Sequence, residues 1–405
     1  MQTQLLDKYK NTPEGREADA ILRSCVHCGF CTATCPTYQL LGDELDGPRG
    51  RIYLIKNLLE GAEIGRSTQL HLDRCLTCRA CETACPSGVQ YGRLADIGRG
   101  MIEQQVRRPW RERFLRRLLR ISVAHPKRFA ALLRLGRWLQ PVLPKRLRRS
   151  IPVRQTATSW PEPRHSRSML ILDGCVQPSL APTINLAAAR VLDKLGISLL
   201  REKKAGCCGA VSYHLGAHEE GLHFMRRNID VWWPHIEQGV EALVITASGC
   251  GTLVKDYGHL LQHAPDYAAK AARVSALSKD LSEVLSQLDL TALQGVTRSL
   301  RVAFHSPCSL QHGQKLVYQV EGLLNKLGFE LSYVPDAHLC CGSAGTYSIL
   351  QGDLSQQLLA NKIAALESGA PDVIATANIG CLTHMQSRTK LPVKHWVELL
   401  NIEND

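Results

Sequence analysis

Two short cysteine runs near the N-terminus have residue types and spacing that suit metal binding. The chain of 405 residues contains 16 cysteines, and half of them belong to these runs. The first run consists of Cys25, Cys28, Cys31 and Cys35, and the second of Cys75, Cys78, Cys81 and Cys85. Each has the spacing C-x2-C-x2-C-x3-C-P, which is typical of bacterial proteins that bind [4Fe-4S] clusters through thiolates. We therefore predict two such clusters.

The fourth cysteine of each run is predicted to bind the cluster of the other run. This exchange occurs in two-cluster ferredoxins, and here proline turns the fourth thiol away from the first three. We assign Cys25, Cys28, Cys31 and Cys85 to the first cluster, and Cys75, Cys78, Cys81 and Cys35 to the second. Because four thiolates leave no iron open for substrate, the predicted unit is an electron relay.

Zinc sites and disulfide bonds are the alternative uses of such cysteines. Zinc usually binds paired C-x2-C knuckles separated by a long gap, rather than four-cysteine runs that end in proline. Disulfides need an oxidising compartment, and residues 1–19 contain no apolar signal core. Both alternatives fit the sequence less well, and we expect a cytoplasmic protein.

The other cysteines belong to two copies of a longer pattern. Each copy has one cysteine after a predicted strand, then a C-C-G motif, then a G-C after another strand. The copies contain Cys175, Cys207, Cys208 and Cys250, followed by Cys308, Cys340, Cys341 and Cys381. The interval between equivalent cysteines is nearly constant, which indicates an internal repeat. These thiols are candidates for one or two additional clusters or for an acceptor site, since isolated buried cysteines would not recur in register.

The predicted fold is mixed, with α+β and α/β parts. The first part is a mainly helical, ferredoxin-like domain with two clusters. In each later repeat strands alternate with helices, which predicts an α/β lobe with a parallel sheet and the cysteines near the carboxyl ends of its strands. The predicted segments are 1–104 for the ferredoxin-type domain, 105–167 for a basic helical segment and linker, and 168–290 and 298–405 for the lobes.

A basic segment accounts for the net charge of +12. Residues 107–149 contain fifteen Arg or Lys and one acidic residue, Glu112. Apolar residues recur there at helical spacing, which predicts basic amphipathic helices broken near Pro126 and Pro141. Such helices suit a membrane surface or an acidic partner; alternatively, the apolar stripe packs on the protein's own domains. Nucleic acid is not expected, because base-stacking aromatics and reader motifs are absent. No apolar stretch is long enough to span a bilayer.

Several further motifs give the chain a family resemblance. They are DGPRGRIYLIK at residues 46–56, the two C-C-G repeats, and the segments TASGCG and TANIGC. With the cysteine runs, they resemble the glycolate oxidase iron-sulfur subunit family over essentially the whole chain. The resemblance implies a hetero-oligomer in which separate FAD-binding subunits oxidise glycolate to glyoxylate. This chain would pass electrons to quinone or another membrane acceptor, at the inner face of the cell membrane.

Related iron-sulfur subunits provide the alternative functions. Lactate-utilisation and glycerol-3-phosphate dehydrogenase subunits have the same layout, and substrate contacts would belong to the partner in each case. Heterodisulfide reductase subunits differ, because each of their lobes ends in C-x2-C, whereas Leu253 and His384 occupy the second of these positions here. Each lobe here therefore has four cysteines, one fewer than a lobe that ends in C-x2-C. For this reason a stand-alone thiol or disulfide reductase is the weaker alternative. One interpretation of these four cysteines is a single [4Fe-4S] cluster per lobe, with His384 as an unusual ligand in the second lobe. The competing interpretation is a thiol-lined acceptor or docking surface.

Other polar residues near the cysteines are candidates for tuning roles. The chain has no G-x-G-x-x-G motif after a strand, so we expect no flavin site in it. The histidines near the cysteine-rich strand ends are His214, His305, His312 and His338. They are predicted to donate to a quinone or to tune a cluster potential, with a structural role as the alternative. Arg49 and Arg51 would raise a cluster's potential, or else form the first turn of a helix that begins at Pro48.

Overall fold

The computed structural model describes residues 1–142, 144, 154–156, 158–294 and 300–400. Parts of the predicted basic segment and linker, residues 143, 145–153 and 157, lie outside the described residues. The described residues confirm the predicted mixed fold, with a helical N-terminal region and two parallel sheets.

The N-terminal region consists of helices joined by the two cysteine runs. Its helices are α1 Asp7–Lys10, α2 Pro13–Ser24, α3 Pro36–Leu41, α4 Pro48–Leu59, α5 Arg66–Asp73, α6 Ala80–Thr83 and α7 Tyr91–Gln105. Proline is the first residue of α2, α3 and α4, where its missing N–H leaves no hydrogen bond unmade. Leu22, Ile55 and Leu94, from α2, α4 and α7, are fully buried and form the core against which the cysteine runs pack.

Two basic helices follow, and we call them together the basic hairpin. They are α8 Trp110–Val123 and α9 Pro126–Leu139. The break lies at Pro126, where the sequence predicts it, because a proline is tolerated in the first turn of a helix but not in its interior. Leu119 of α8 and Ala124 between the helices are buried, whereas most of the other apolar side chains of the hairpin remain exposed or half-buried.

The first lobe is a parallel sheet with helices around it. Its strands are β1 Arg167–Ile171, β2 Ile197–Arg201, β3 Leu243–Ile245 and β4 Ser278–Asp280, in the order β2-β1-β3-β4. Its helices are α10 Gln177–Leu180, α11 Pro182–Lys194, α12 Ala210–His214, α13 His218–Glu237, α14 Ser248–Lys255, α15 Tyr257–Leu260, α16 Ala268–Leu277 and α17 Leu281–Ser286. The near-continuous burial of β1 and β3 is typical of a parallel sheet covered on both faces.

The second lobe repeats this topology. Its strands are β5 Arg301–His305, β6 Glu330–Leu331, β7 Val373–Thr376 and β8 Val393–His395, in the equivalent order β6-β5-β7-β8. Its helices are α18 Gln319–Lys326, α19 Tyr347–Leu350, α20 Gly352–Glu367 and α21 Ile379–Gln386, with a π-helical turn at Ser309–Gly313. The equal strand order agrees with the internal repeat that the cysteine spacing predicts.

The two lobes share one hydrophobic core. Ala247 of the first lobe and Ala377 of the second are both buried in it. The N–H of Ser248 donates to the carbonyl of Ala377 at 3.1 Å, and His395 Nε2 donates to the carbonyl of Thr246 at 2.9 Å. These contacts hold the carboxyl ends of the two sheets together, which is where the cysteines lie. Within the described part of the chain, no helix is long and apolar enough to cross a membrane.

Candidate iron-sulfur and metal sites

The first cysteine run lies in the loop between α2 and α3. Cys25 follows α2 directly, and Cys35 immediately precedes Pro36, the first residue of α3. Between them Gly29 has a φ of 85°, which glycine adopts without strain. The chain therefore turns sharply between the second and third cysteines, so that the first three lie in one loop while the fourth is displaced.

A cavity brings thiols of both runs together. It is lined by Cys25, Cys28, Cys31, Cys81 and Cys85. Burial raises the pKa of Cys31 to about 11, and the nearby thiols of Cys25 and Cys85 act in the same direction. Thiols bind a metal in their deprotonated form, and thiolates this close would repel one another. A bound cationic group would offset that repulsion. The donor set of this first site therefore fits a metal cluster.

The second run meets Cys35 at a second, more deeply buried site. Burial raises the pKa of Cys81 well above its ordinary value, and the nearby thiols of Cys78, Cys75 and Cys35 also raise it. The Sγ atom of Cys35 lies 3.3 Å from the Oγ1 atom of Thr37, on α3. The structure thus brings the displaced cysteine of each run towards the first three cysteines of the other.

Two buried arginines favour the ionised form of Cys75. Burial favours the neutral thiol, but the charges of Arg51 and Arg99 lower the pKa of Cys75 overall. Arg99 donates to the carbonyl of Cys75 at 2.5 Å, and Arg51 donates to the carbonyl of His71 at 2.7 Å. Of the two arginines named from the sequence, Arg51 therefore lies beside the second site, whereas Arg49 lines the cavity of the first site and pairs with Glu44.

The four cysteines of the first lobe form a connected set. Contacts with Cys175 and Cys208 lower the pKa of Cys207 well below its ordinary value, and the Arg227 charge acts in the same direction. Cys208 in turn contacts Cys250. Cys207 and Cys208 are buried, so this set presents a mainly interior group of thiols.

The glycine of each C-C-G motif allows the chain to turn beneath the thiols. Gly209 and Gly342 have φ values of 98° and 85°. A Cβ atom at either position would lie 2.7 Å from a backbone oxygen, that of Gly221 or Ser355 respectively. Each glycine N–H donates at 3.4 Å to the sulfur of the first cysteine in its motif. Only glycine meets both the dihedral and the steric requirement.

The cysteines of the second lobe form a row that ends beside the second run. The Sγ atoms of Cys308 and Cys340 are 3.8 Å apart, and Cys341 contacts both Cys340 and Cys381. Burial raises the pKa of Cys78 well above its ordinary value, and the nearby Cys308 thiol raises it further. The row is therefore adjacent to the second site.

One histidine joins this row. His305 lies at the end of β5 and is 2% exposed, and neither of its ring nitrogens has a hydrogen-bond partner among the described residues. One ring nitrogen of His305 and the sulfurs of Cys341 and Cys381 all lie within 4.8 Å of one another. Sequence reasoning named His305 only as a hydrogen-bond donor or tuning residue, and it missed this grouping.

The other histidines named from the sequence have different surroundings. His384, suggested as a ligand, instead has its Nε2 atom 3.1 Å from the hydroxyl of Ser355. His312 Nε2 donates to the carbonyl of His338 at 3.0 Å, and the Nδ1 atom of His214 lies 2.9 Å from a carboxylate oxygen of Asp96. These partners favour the structural alternative for His312 and His214.

Comparisons with known proteins give the family. The sequence matches the 4Fe-4S dicluster domain over residues 21–89 and the cysteine-rich domain twice, over residues 169–255 and 302–386. The glycolate oxidase iron-sulfur subunit of Escherichia coli (strain K12) is 56% identical over 402 residues, covering 99% of this chain and 98% of that protein. The chain belongs to the glycolate oxidase iron-sulfur subunit family.

More distant relatives match all or part of the chain. The probable glycolate oxidase iron-sulfur subunit of Bacillus subtilis (strain 168) is 29% identical over 411 residues, covering 94% of this chain and 92% of that protein. Lactate utilization protein A of Geobacillus kaustophilus (strain HTA426) is 28% identical over 232 residues, covering 55% of this chain and 93% of that protein. The dicluster match includes both cysteine runs, and the two cysteine-rich matches include all the lobe cysteines. The resemblance seen in the motifs is confirmed, and the iron-sulfur prediction for the runs agrees with it.

Proposed function

We propose that this chain is the electron-transfer subunit of a glycolate oxidase complex. The observation that supports this most directly is the approach of thiols from both runs to one another, in a cavity lined by five of them and around the buried Cys81, inside a matched 4Fe-4S dicluster domain. When bound there, [4Fe-4S] clusters accept and release electrons. The chain's own residues hold the clusters, exclude water from the second site and provide surfaces for the donor and the acceptor.

The proposed ligands follow the exchanged arrangement. The first set is Cys25, Cys28, Cys31 and Cys85, and the second is Cys75, Cys78, Cys81 and Cys35. The influence of Cys85 on the pKa of Cys31, and of Cys35 on that of Cys81, supports this pairing. Arg51 and Arg99 further stabilise negative charge at the second set, which favours a higher reduction potential there.

The first site is proposed as the side where electrons enter. Cys28 is exposed, and it is flanked by Val26 and Phe30, whose side chains are 66% and 64% exposed. Apolar side chains around an accessible redox site suit a partner that buries them and excludes water. We place the FAD-binding subunit, which would oxidise glycolate to glyoxylate, on this surface.

The basic hairpin is proposed as the attachment to the inner face of the cell membrane. Its exposed apolar side chains include Trp110, Phe114, Leu118, Ile121, Leu132, Leu135 and Trp138. They are interspersed with arginines, which is the composition of helices that lie in a membrane interface. The exposure of this stripe argues against the alternative in which it packs on the protein's own domains.

The root of the hairpin is next to the second site. Arg108 and Arg116 both pair with Asp73, two residues before Cys75. Attachment to an anionic membrane would therefore bring the second site towards a membrane acceptor such as quinone. We infer an electron path from the FAD subunit through the first and second sites to that acceptor.

We propose that the chain divides into a ferredoxin-type domain (1–104), a basic helical segment and linker (105–167) and two lobes (168–290 and 298–405). The two lobes have separate proposed roles. The second lobe covers the second site, because Leu76 and Cys78 pack against Cys340 and Tyr347. The first lobe places its thiols beneath the basic hairpin, where Cys207 packs against Ala124. We propose these four thiols as ligands of a third cluster, near the membrane.

Two measurements on anaerobically prepared protein test this proposal. The chain alone should not oxidise glycolate, but its visible cluster absorbance should bleach when glycolate and the FAD subunit are added together. Turnover of a disulfide by the chain alone with an artificial reductant would contradict the proposal and favour the reductase. About twelve irons and twelve sulfides per chain are expected; about eight would mean two cubes and leave the first-lobe thiols as an acceptor or docking surface.

A further inference from the structure

The second lobe contains a buried group of mixed nitrogen and sulfur donors. The donor atoms of His305, Cys341 and Cys381 lie within 4.8 Å of one another, and all three residues are buried. Zinc–sulfur bonds are about 2.3 Å and zinc–nitrogen bonds about 2.0–2.1 Å, so two thiolates on one ion are separated by at most about 4.6 Å. The three donors can therefore reach a single ion with only small side-chain movements.

The imidazole of His305 has no other role among the described residues. Within the part of the chain that the structure describes, both of its nitrogens lack hydrogen-bond partners, although the ring is almost completely buried. Buried polar groups are normally satisfied, and an exception points to a bound ion or an equivalent partner. Burial and the nearby ammonium of Lys362 lower the pKa of His305 well below its ordinary value. A neutral imidazole is the form that binds metal.

The first lobe shows that a histidine is not needed here for folding. His305 lies three residues before the first cysteine of its lobe, and Leu172 occupies the same position in the first lobe. Leu172 is buried in an apolar cluster. The repeated fold therefore accommodates leucine at this strand end, and the second lobe has a metal-binding side chain in its place.

We propose that the second lobe binds one zinc-class divalent ion through His305, Cys341 and Cys381. Thiolate and imidazole together are the donors that zinc prefers, and two thiolates neutralise its charge in a buried site. A third thiolate ligand for the ion could come from Cys340, whose side chain contacts that of Cys341.

Neighbouring groups support an anionic donor set. The amide of Asn378 donates to the sulfur of Cys381 at 3.4 Å, which orients that ligand. The side chain of Lys362 is buried, and its ammonium donates to the carbonyl of Asp336 at 2.7 Å. Burial lowers the pKa of Lys362, and the nearby thiols of Cys341 and Cys340 oppose that shift. Lys362 is therefore the basic side chain next to the proposed donor set.

The ion would tie three separated parts of the second lobe together. His305 ends β5, Cys341 belongs to the C-C-G loop, and Cys381 lies in the first turn of α21. The C-C-G loop also contains Cys340, which packs with Leu76 of the second run. Zinc carries no electrons, so its role here is to fix the loop that covers the second site.

Elemental analysis of the full-length protein tests the site with a matched control. Wild-type protein purified anaerobically should contain about one zinc per chain, and His305→Leu, which copies the first lobe, should lower that content at least fivefold. Iron and acid-labile sulfide should be unchanged in the variant. The control His384→Leu likewise copies the first lobe at Leu253, and it should retain zinc. Equal zinc in wild type and His305→Leu, or a loss of iron in that variant, would overturn the proposal.

X-ray absorption at the zinc edge gives an answer that does not depend on any variant folding. The wild-type spectrum should show sulfur at about 2.3 Å together with nitrogen at about 2.0–2.1 Å. A shell of oxygen and nitrogen alone would identify adventitious surface zinc and refute the site. Since zinc and iron are measured separately, this result is independent of the proposed electron-transfer function.

Discussion

At the scale of single residues, the displaced cysteines Cys85 and Cys35 test the proposed ligand sets. Cys85→Ser should remove the first cluster and leave the second, because Cys85 lines the cavity with the thiols of the first run. Iron should fall by about four atoms per chain, and low-temperature EPR should show which signal is lost. Cys35→Ser is the reciprocal control and should remove the second cluster. Loss of the second cluster in Cys85→Ser would refute the exchange.

The C-C-G glycine gives a second prediction at this scale. Gly342→Ala should destabilise the protein by about 1–3 kcal/mol, because φ is 85° and the new Cβ atom would meet the oxygen of Ser355. Gly345→Ala is the matched control, since Gly345 also has a positive φ but nothing within 4 Å of a Cβ atom. The comparison is made by thermal unfolding under anaerobic conditions. Equal losses in the two variants would show that the dihedral angle alone, and not the contact, matters.

At the scale of elements, the basic hairpin can be tested by vesicle binding. Arg113 and Arg117 are exposed on α8. Replacing both with glutamine should weaken binding to phosphatidylglycerol-containing vesicles roughly thirtyfold, since each arginine near an anionic surface contributes about 1 kcal/mol. Binding of the wild type should weaken with salt and be much lower on pure phosphatidylcholine.

Exposed arginines of the two lobes provide the control. Arg273→Gln combined with Arg388→Gln removes the same charge from exposed positions of the first and second lobes. This pair should leave vesicle binding nearly unchanged. If both double variants weaken binding equally, net charge rather than the hairpin is responsible. Arg116 is unsuitable for such a test, because it also pairs with Asp73.

The sequence predicts elements and faces better than it predicts contacts. Cysteine spacing and strand alternation were enough for the two runs and the repeated parallel sheets, because these depend on local periodicity. The sequence did not decide whether the apolar stripe of the basic hairpin packs on the protein's own domains or stays exposed. Periodicity shows that a helix has an apolar face, but not what covers that face. The structure leaves Trp138 76% exposed, which local sequence does not reveal.

The choice between two histidines shows the same limit. His384 stands where relatives with C-x2-C have a cysteine, so sequence position favoured it as a ligand. In the structure His384 lies in α21 and faces Ser355, while His305 at the end of β5 meets the thiols. That meeting depends on β5 and β7 being neighbours in the sheet, with Cys381 in the helix that follows β7, which is a tertiary relation. The sequence did contain one signal of this site: His305 in the second lobe occupies the position that Leu172 occupies in the first.

At the scale of the whole molecule, the two cluster sites differ in their surroundings. The second site is enclosed by the second lobe, where the hydroxyl of Tyr347 donates to the carbonyl of Arg74 at 3.1 Å. The first site keeps an exposed thiol, Cys28, with apolar neighbours. Because electron transfer requires close approach, we infer that a protein donor approaches the first site rather than the second. In the proposed function, this asymmetry sets the direction of electron flow through the molecule.

The proposed entry surface can therefore be tested through assembly with the proposed FAD-binding subunit. Val26→Ser with Phe30→Ser should weaken complex formation by about a hundredfold or more, because burial of such apolar side chains contributes roughly 1.5–3 kcal/mol each. Affinity is measured by titration of the purified subunits, and cluster reduction by glycolate should slow in parallel. Tyr333→Ser removes an 81% exposed aromatic side chain from the second lobe and should change neither quantity. Unchanged affinity in the Val26 and Phe30 variant would place the FAD subunit elsewhere, and electrons would then have to enter through another face.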